Sequence, residues 1–298
     1  MDSAKAMLNE LLELRLKHPN LVVELARTRR KAVGWAHNRL VIIAIDHPAR
    51  RELAAGGDEW AMANRMELLE RISQVLKQPG VDGVLATPDI MEELMLLNHI
   101  GMERGEVDFL DGKVLVGSMN RAGLSGTEFE LDDFVSAYTP RGVHEANLDA
   151  GKLLFRMHPD SRDSSKTLRY CVDALNELDE FELPCFLEPL VPNNELDPLV
   201  RLVGVATAMG NSSRNRWLKL PMVSSFERIA AATTCPIVLL GGKFAGSPEE
   251  LRTKVQNSLA AGPNVRGLMI GRGVLYPSDH SNPEEVAKRL AAIVHEAN

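Results

Sequence analysis

No run of about 18 apolar residues occurs in this 298-residue chain, so no segment is expected to span a membrane as a helix. The amino terminus mixes acids and bases where a secretory signal would carry an apolar stretch, so export is not expected either. Cysteine is scarce. Cys171, Cys185 and Cys235 sit in or beside apolar runs, without the C-x-x-C spacing or histidine partners of a metal site, and read as reduced core thiols of a cytoplasmic protein. A basic excess is also lacking: the net charge is −7, which argues against nucleic acid as a partner while leaving room for a local cationic pocket. Repeats, low-complexity tracts and interdomain linkers are absent, so one catalytic domain is expected.

What is present is a regular alternation. Residues 1–40 carry Leu and Val at three- and four-residue spacing between charges, which predicts two helices forming an N-terminal helical extension. From residue 41 to 298, eight short segments rich in Val, Ile and Leu recur at the spacing of βα units. They are VIIAID (41–46), GVLAT (83–87), KVLVGSM (113–119), KLLFRM (152–157), PCFLEP (184–189), RWLKLP (216–221), PIVLLGG (236–242) and RGLMIGR (266–272). Helical periodicity fills the intervals, with helix-start signals such as SPEE and NPEE. Eight strands alternating with helices at this length predict an α/β protein, a (β/α)₈ TIM barrel. Only the stretch between the third and fourth strands, about residues 120–151, lacks a clear helix and is expected to be a substrate-covering loop.

In such a barrel the catalytic groups project from the carboxyl ends of the strands. Polar residues there are Asp46 and His47, Asp89, Asn120 and Arg121, Lys152 and Arg156, Glu188, Lys219, the Gly241-Gly242-Lys243 turn, and Gly271-Arg272. Lys152 and Lys219 lie in apolar strands, where an unpartnered ammonium is costly to desolvate. Lys219 is therefore either a salt-bridged lysine or an amine whose lowered pKa makes it a nucleophile. Glu188 is an acid/base, a hydroxyl-orienting group, or the ion-pair partner of Lys152. Asp46 either handles a proton or hydroxyl or is a turn residue. The small residues Gly241, Gly242 and Gly271 let backbone N–H groups approach an anion, and Arg272 adds a guanidinium fork, at the strands that usually bind phosphate in this fold. Lacking a second strand-end histidine, His47 is not expected to ligate a metal. Asp89 reads as a helix-start residue and Trp217 as core, while Arg50 and Arg51, just past the first strand, either assist an anionic substrate or are solvated loop arginines, the commoner case.

AIDH on the first strand, LKLP on the sixth, LLGGK on the seventh and MIGRGVLYP on the eighth resemble the bacterial and archaeal class I aldolases. That group includes archaeal-type fructose-bisphosphate, tagatose-bisphosphate, sulfofructose-phosphate and deoxyribose-phosphate aldolases, and the resemblance runs from about residue 41 to 277. AIDHPARRELAAGG, PGVDGVLATPDIMEELMLL and VGSMNRAGLSG resemble most an actinobacterial group labelled deoxyribose-phosphate aldolase and associated with inositol catabolism. The resemblance implies Lys219 as the Schiff-base lysine, Glu188 and Lys152 in proton transfer and hydroxyl binding, Asp46 near the reacting carbons, and Gly241, Gly242, Gly271 and Arg272 as a phosphate cradle. Archaeal-type enzymes place a tyrosine acid/base near strand four or five. Here Phe155 and Phe186 stand on those strands, and Glu188 becomes the proton-transfer candidate.

The expected activity is therefore metal-independent retro-aldol cleavage of a phosphorylated keto-sugar or keto-acid, with no cofactor. The inositol association implies 5-dehydro-2-deoxygluconate 6-phosphate; deoxyribose 5-phosphate and a hexulose bisphosphate are the alternatives. A phosphosugar epimerase or isomerase using Asp46 and Glu188 without an imine, and a barrel that only binds a phosphorylated effector, are the competing classes. Barrels of this kind commonly oligomerise, and a homo-oligomer is expected.

Overall fold

The computed structural model describes residues 2–158, 160–242 and 246–296. Eight parallel strands close into a ring in chain order, the last pairing with the first. They are β1 (Leu40–Ala44), β2 (Gly83–Ala86), β3 (Val114–Ser118), β4 (Ala150–Arg156), β5 (Cys185–Leu190), β6 (Arg216–Pro221), β7 (Ile237–Leu240) and β8 (Val265–Ile270). This is the predicted (β/α)₈ barrel. Helices α1 (Asp2–Lys17) and α2 (Leu21–Thr28) precede it, and α3 (Arg65–Leu76), α4 (Pro88–Glu103), α5 (Pro140–Glu145), α6 (Asp163–Glu180), α7 (Leu196–Ala208), α8 (Phe226–Ala230), α9 (Pro248–Leu259), α10 (Arg272–Leu275) and α11 (Pro283–Glu296) follow the strands.

Local chemistry sets the helix starts. The Asn64 side chain accepts from the backbone N–H groups of Met66 and Glu67 at the head of α3, and Ser247 with Glu250 forms a reciprocal capping box on α9. Proline occupies the first turn of α4, α5 and α9, where its missing N–H costs nothing.

Because successive strand side chains alternate faces, each strand feeds two apolar layers. Val41, Ile43, Leu153, Phe155, Leu187, Leu218 and Leu220 join the large layer between barrel and helices. Leu40, Ile42, Ala150, Phe186, Trp217, Val238 and Met269 fill the barrel interior. At the lower end of that interior Trp35, from the segment before β1, packs on Phe186 and Trp217 with ring centroids 6.0 and 5.9 Å away. This aromatic cluster forms a floor.

The stretch between β3 and β4 holds only the short α5 and an isolated bridge between Asn120 and Val135. It is pinned by polar contacts. Asn120 donates to the Leu154 carbonyl and accepts from the Leu154 N–H, both at 2.8 Å, so its amide prolongs the pairing of β3 with β4.

Candidate active site

The alternation that sends Phe186 and Trp217 into the floor sends the next inward residue of each strand toward the carboxyl end of the barrel. On β6 that residue is Lys219, on β5 Glu188, on β4 Lys152, on β3 Ser118, and just past β1 it is Asp46. All five are buried. Glu188 Oε2 lies 3.0 Å from Lys219 Nζ and 2.7 Å from Lys152 Nζ, and Lys152 Nζ lies 3.0 Å from Asp46 Oδ2. Ser118 Oγ donates to Asp46 Oδ2 at 3.4 Å. The four charged candidates thus form one chain, Lys219–Glu188–Lys152–Asp46, across the upper barrel. The salt-bridge reading of Lys219 and the pairing of Glu188 with Lys152 both hold as geometry, and each coexists with an open face on a cavity.

That cavity, of about 280 Å³, is lined by Lys219 and Glu188 together with His47, Arg50, Glu52, Arg156, Asn194, Gly241, Gly242, Gly271 and Arg272. The carboxyl ends of β1, β4, β5, β6, β7 and β8 therefore meet at one opening. Lys152 and Asp46 stand behind this wall.

The charge states follow from burial and neighbours. Burial favours the neutral amine of Lys219; Glu188 opposes this, while Lys152 adds to it, and the result is a pKa below the ordinary lysine value. For Glu188, burial works upward, but Lys152 and Lys219 outweigh it and bring the carboxyl down to about 2. Asp46 follows the same logic: burial raises it, and Lys152, Arg50 and Lys219 together hold it well below the usual carboxylate range. His47 is kept neutral, since burial pushes its pKa well below the usual imidazole value, with Arg272, Arg50 and Lys219 reinforcing burial against Asp46. Both carboxylates are ionised proton acceptors near neutrality.

The glycines carry steric duties of their own. A Cβ on Gly271 would stand 1.8 Å from the Ala44 carbonyl oxygen, so only glycine lets β8 pass β1 there. Gly242 adopts a left-handed φ of 59° after β7. Lys243 of the same turn lies outside the described residues.

Several other candidates part from the site. Asp89 is a helix-start residue, as expected, held by Arg65 at 2.6 Å and by the Thr87 hydroxyl. Arg121 is turned away from the cavity: its fully buried guanidinium bonds the Glu130 carbonyl and carboxylate and Ser125 Oγ, and lies 3.4 Å from Asp133. Glu130 also pairs Arg156, tying the loop after β3 to the cavity wall. Trp217 is core, and the three cysteines are buried and free. Of the two readings of Arg50 and Arg51, the solvated one holds for the exposed Arg51, whereas Arg50 has a side chain only 11% exposed, lines the cavity and lies 3.7 Å from Asp46. Sequence reasoning also passed over Ser118, Glu52 and the Glu130–Asp133 pair. Ser118 was accessible from parity alone, two residues beyond the inward Val116.

Among the described residues no helix is long and apolar enough to cross a membrane, and no cluster of three or more His, Cys, Asp or Glu could hold a metal ion.

A family model described as Cgl0159-like matches residues 38–290. The crystal structure of Cgl0159 from Corynebacterium glutamicum is 37% identical with a TM-score of 0.87, covering 98% of this chain and 97% of that one. A 117-residue stretch is 34% identical to 2-amino-3,7-dideoxy-D-threo-hept-6-ulosonate synthase 1 of Archaeoglobus fulgidus, the match spanning 39% of this chain and 42% of that protein. The fold is shared, at 16% identity and a TM-score of 0.62, with an archaeal fructose-1,6-bisphosphate aldolase whose catalytic Lys is covalently bound to the carbinolamine intermediate of its substrate; 92% of this chain and 99% of that one are covered.

Proposed function

The chain belongs to the Cgl0159-like family, and from that premise we propose that it is a class I aldolase whose Lys219 forms a Schiff base with a phosphorylated ketone. The observation that carries this reading is the placement of Lys219: a buried amine of lowered pKa, facing a cavity, on the strand next to an ionised carboxylate. A surface salt bridge needs none of these features. The Archaeoglobus synthase and the archaeal aldolase support the class of chemistry by analogy.

In the proposed reaction the neutral Lys219 amine attacks the ketone carbon, and the carbinolamine loses water to give an iminium. The iminium then draws in the electron pair of the carbon–carbon bond two atoms away, releasing an aldehyde and leaving an enamine. The proton on the carbinol oxygen passes to Glu188, with Asp46 assisting through Lys152, and a proton then returns to the enamine carbon. Water hydrolyses the second imine and frees Lys219. Glu188 gains basicity as the iminium on Lys219 collapses to the neutral enamine, because one of its two close cations is then gone. Lys152, between both carboxylates and behind the cavity wall, balances their charge and holds Glu188 in place beside Lys219.

The substrate proposed is 5-dehydro-2-deoxygluconate 6-phosphate, cleaved to dihydroxyacetone phosphate and malonate semialdehyde. Its ketone neighbours the phosphate-bearing carbon, and the bond to be broken lies two bonds from the imine carbon. The Gly241, Gly242, Gly271 and Arg272 wall is the proposed phosphate side. Borohydride reduction in the presence of dihydroxyacetone phosphate, followed by mass mapping, should find the reduced adduct on Lys219 and none in Lys219→Met. An unmodified Lys219 would refute the imine. Retained turnover in Lys219→Arg would instead favour a phosphosugar epimerase.

A further inference from the structure

Arg50 ends a one-turn 3₁₀ segment (Pro48–Arg50) just past β1, and Arg272 opens α10 directly after β8. Ring closure makes these two strands neighbours, so residues distant in sequence meet at one side of the cavity. Their side chains are 11% and 10% exposed. Yet Arg50 Nε, Arg272 Nε and Arg272 Nη1 have no hydrogen-bond partner among the described residues. The nearest acids reach only ion-pair range: Asp46 lies 3.7 Å from Arg50 Nη1, and Glu52 lies 3.6 Å from Arg272 Nη1. A buried charged donor left without an acceptor is costly, and two such groups facing one cavity imply a ligand that fills them.

We propose that Arg50 is a phosphate-binding residue, and that with Arg272 it forms a two-arginine clamp seating the substrate's phosphate between β8 and β1. Three unfilled donors on two separate guanidinium groups favour a ligand whose oxygens diverge in direction, as the three terminal oxygens of a phosphate monoester do and the two coplanar oxygens of a carboxylate do not. The dianion also matches the wall's charge, since among the described residues of the lining four cationic side chains (Arg50, Arg156, Lys219 and Arg272) face two carboxylates (Glu52 and Glu188). Held there, the phosphate lies across the opening from Lys219 on β6, and the adjacent carbonyl points toward the amine. This assignment rests on the aldolase reading only for the identity of the phosphate's bearer.

The test uses inorganic phosphate as the probe, titrated calorimetrically into the wild type, Arg50→Gln, Arg50→Lys, Arg272→Gln and the exposed-neighbour control Arg51→Gln. Arg50→Gln and Arg272→Gln should each weaken phosphate by about tenfold or more, while Arg51→Gln stays within about twofold of wild type. Arg50→Lys keeps the positive charge beside Asp46 but loses the fork, and it should fall with Arg50→Gln. If Arg50→Gln does not fold, Arg50→Lys decides. Phosphate affinity equal to wild type in the folded Arg50 variants, or no phosphate binding to the wild type, overturns the clamp. Borohydride trapping separates the two readings: phosphate binding through Arg50 without a Lys219 adduct leaves the clamp and removes the aldolase, whereas an adduct formed equally well in Arg50→Lys does the reverse.

Discussion

Replacing Lys152 by Met keeps the length of the side chain and removes the charge between Asp46 and Glu188. Glu188 would retain Lys219 at 3.0 Å, whereas Asp46 would retain the Ser118 hydroxyl at 3.4 Å, Arg50 at 3.7 Å and the neutral His47 ring at 3.9 Å. The uncompensated charge is therefore mainly that of Asp46, buried to 0% exposure. Breaking a buried ion pair by removing one partner costs about 3–5 kcal/mol, and the surviving contacts place this case near 3. In urea, with a slope of about 3 kcal/mol/M, the midpoint should fall by roughly 1 M at pH 7. Circular dichroism and tryptophan fluorescence should report the same transition. Adding Asp46→Asn to Lys152→Met should recover about 2 kcal/mol, because the orphaned carboxylate is then neutral. A Lys152→Met protein within about 0.5 kcal/mol of wild type, or one that Asp46→Asn fails to rescue, would refute the charge chain as described.

Three further outcomes are expected. The His47 pKa is depressed in the folded protein, so the unfolded chain takes up a proton first on acidification and stability falls as pH drops below about 6.5; relative to His47→Gln, the unfolding free energy of wild type from denaturant titrations should decline by up to about 1.4 kcal/mol per pH unit. Asp133, raised to about 6, acts in the opposite sense, its contribution being present at low pH and lost as pH rises through about 6, which is why the variant difference is the quantity to plot. The rate of borohydride-trapped adduct formation should rise with pH on a limb below the ordinary lysine value, and Glu188→Gln should move that limb to lower pH, since Glu188 holds Lys219 up; a limb unmoved or shifted upward would exclude their coupling. Gly271→Ala drives a methyl into the Ala44 carbonyl and should yield no folded barrel by circular dichroism, whereas near-native melting would show that β8 can move away from β1.

The barrel was legible because strand and helix periods differ, and the segments 216–221 and 152–157 open as strands within two residues of the expected places. The upper charged layer was half legible. Trp217 and Lys219 are two apart, as are Phe186 and Glu188, so parity alone puts each pair on one face. What parity cannot supply is which residues of other strands meet them. The choice between the two readings of Arg50 depends on β8 arriving beside β1, and the role of Trp35 depends on partners that lie on β5 and β6. Arg121 failed for another reason: it ends a strand at the rim, but its positive φ of 77° turns the side chain into its own loop, toward Glu130 and Asp133.

The pairing of Leu40 with Gly267 and Ile43 with Ile270 has a temporal meaning as well as a spatial one. At about 5–20 residues per second of synthesis, the last strand emerges roughly 10–45 s after the first. Throughout that interval β1 presents an unpaired edge, and Lys152, Glu188 and Lys219 remain hydrated. Their dehydration is therefore among the latest events of assembly, coupled to the arrival of the carboxyl-terminal strand. A nascent chain halted before Val265 would hold the proposed nucleophile as an ordinary surface lysine.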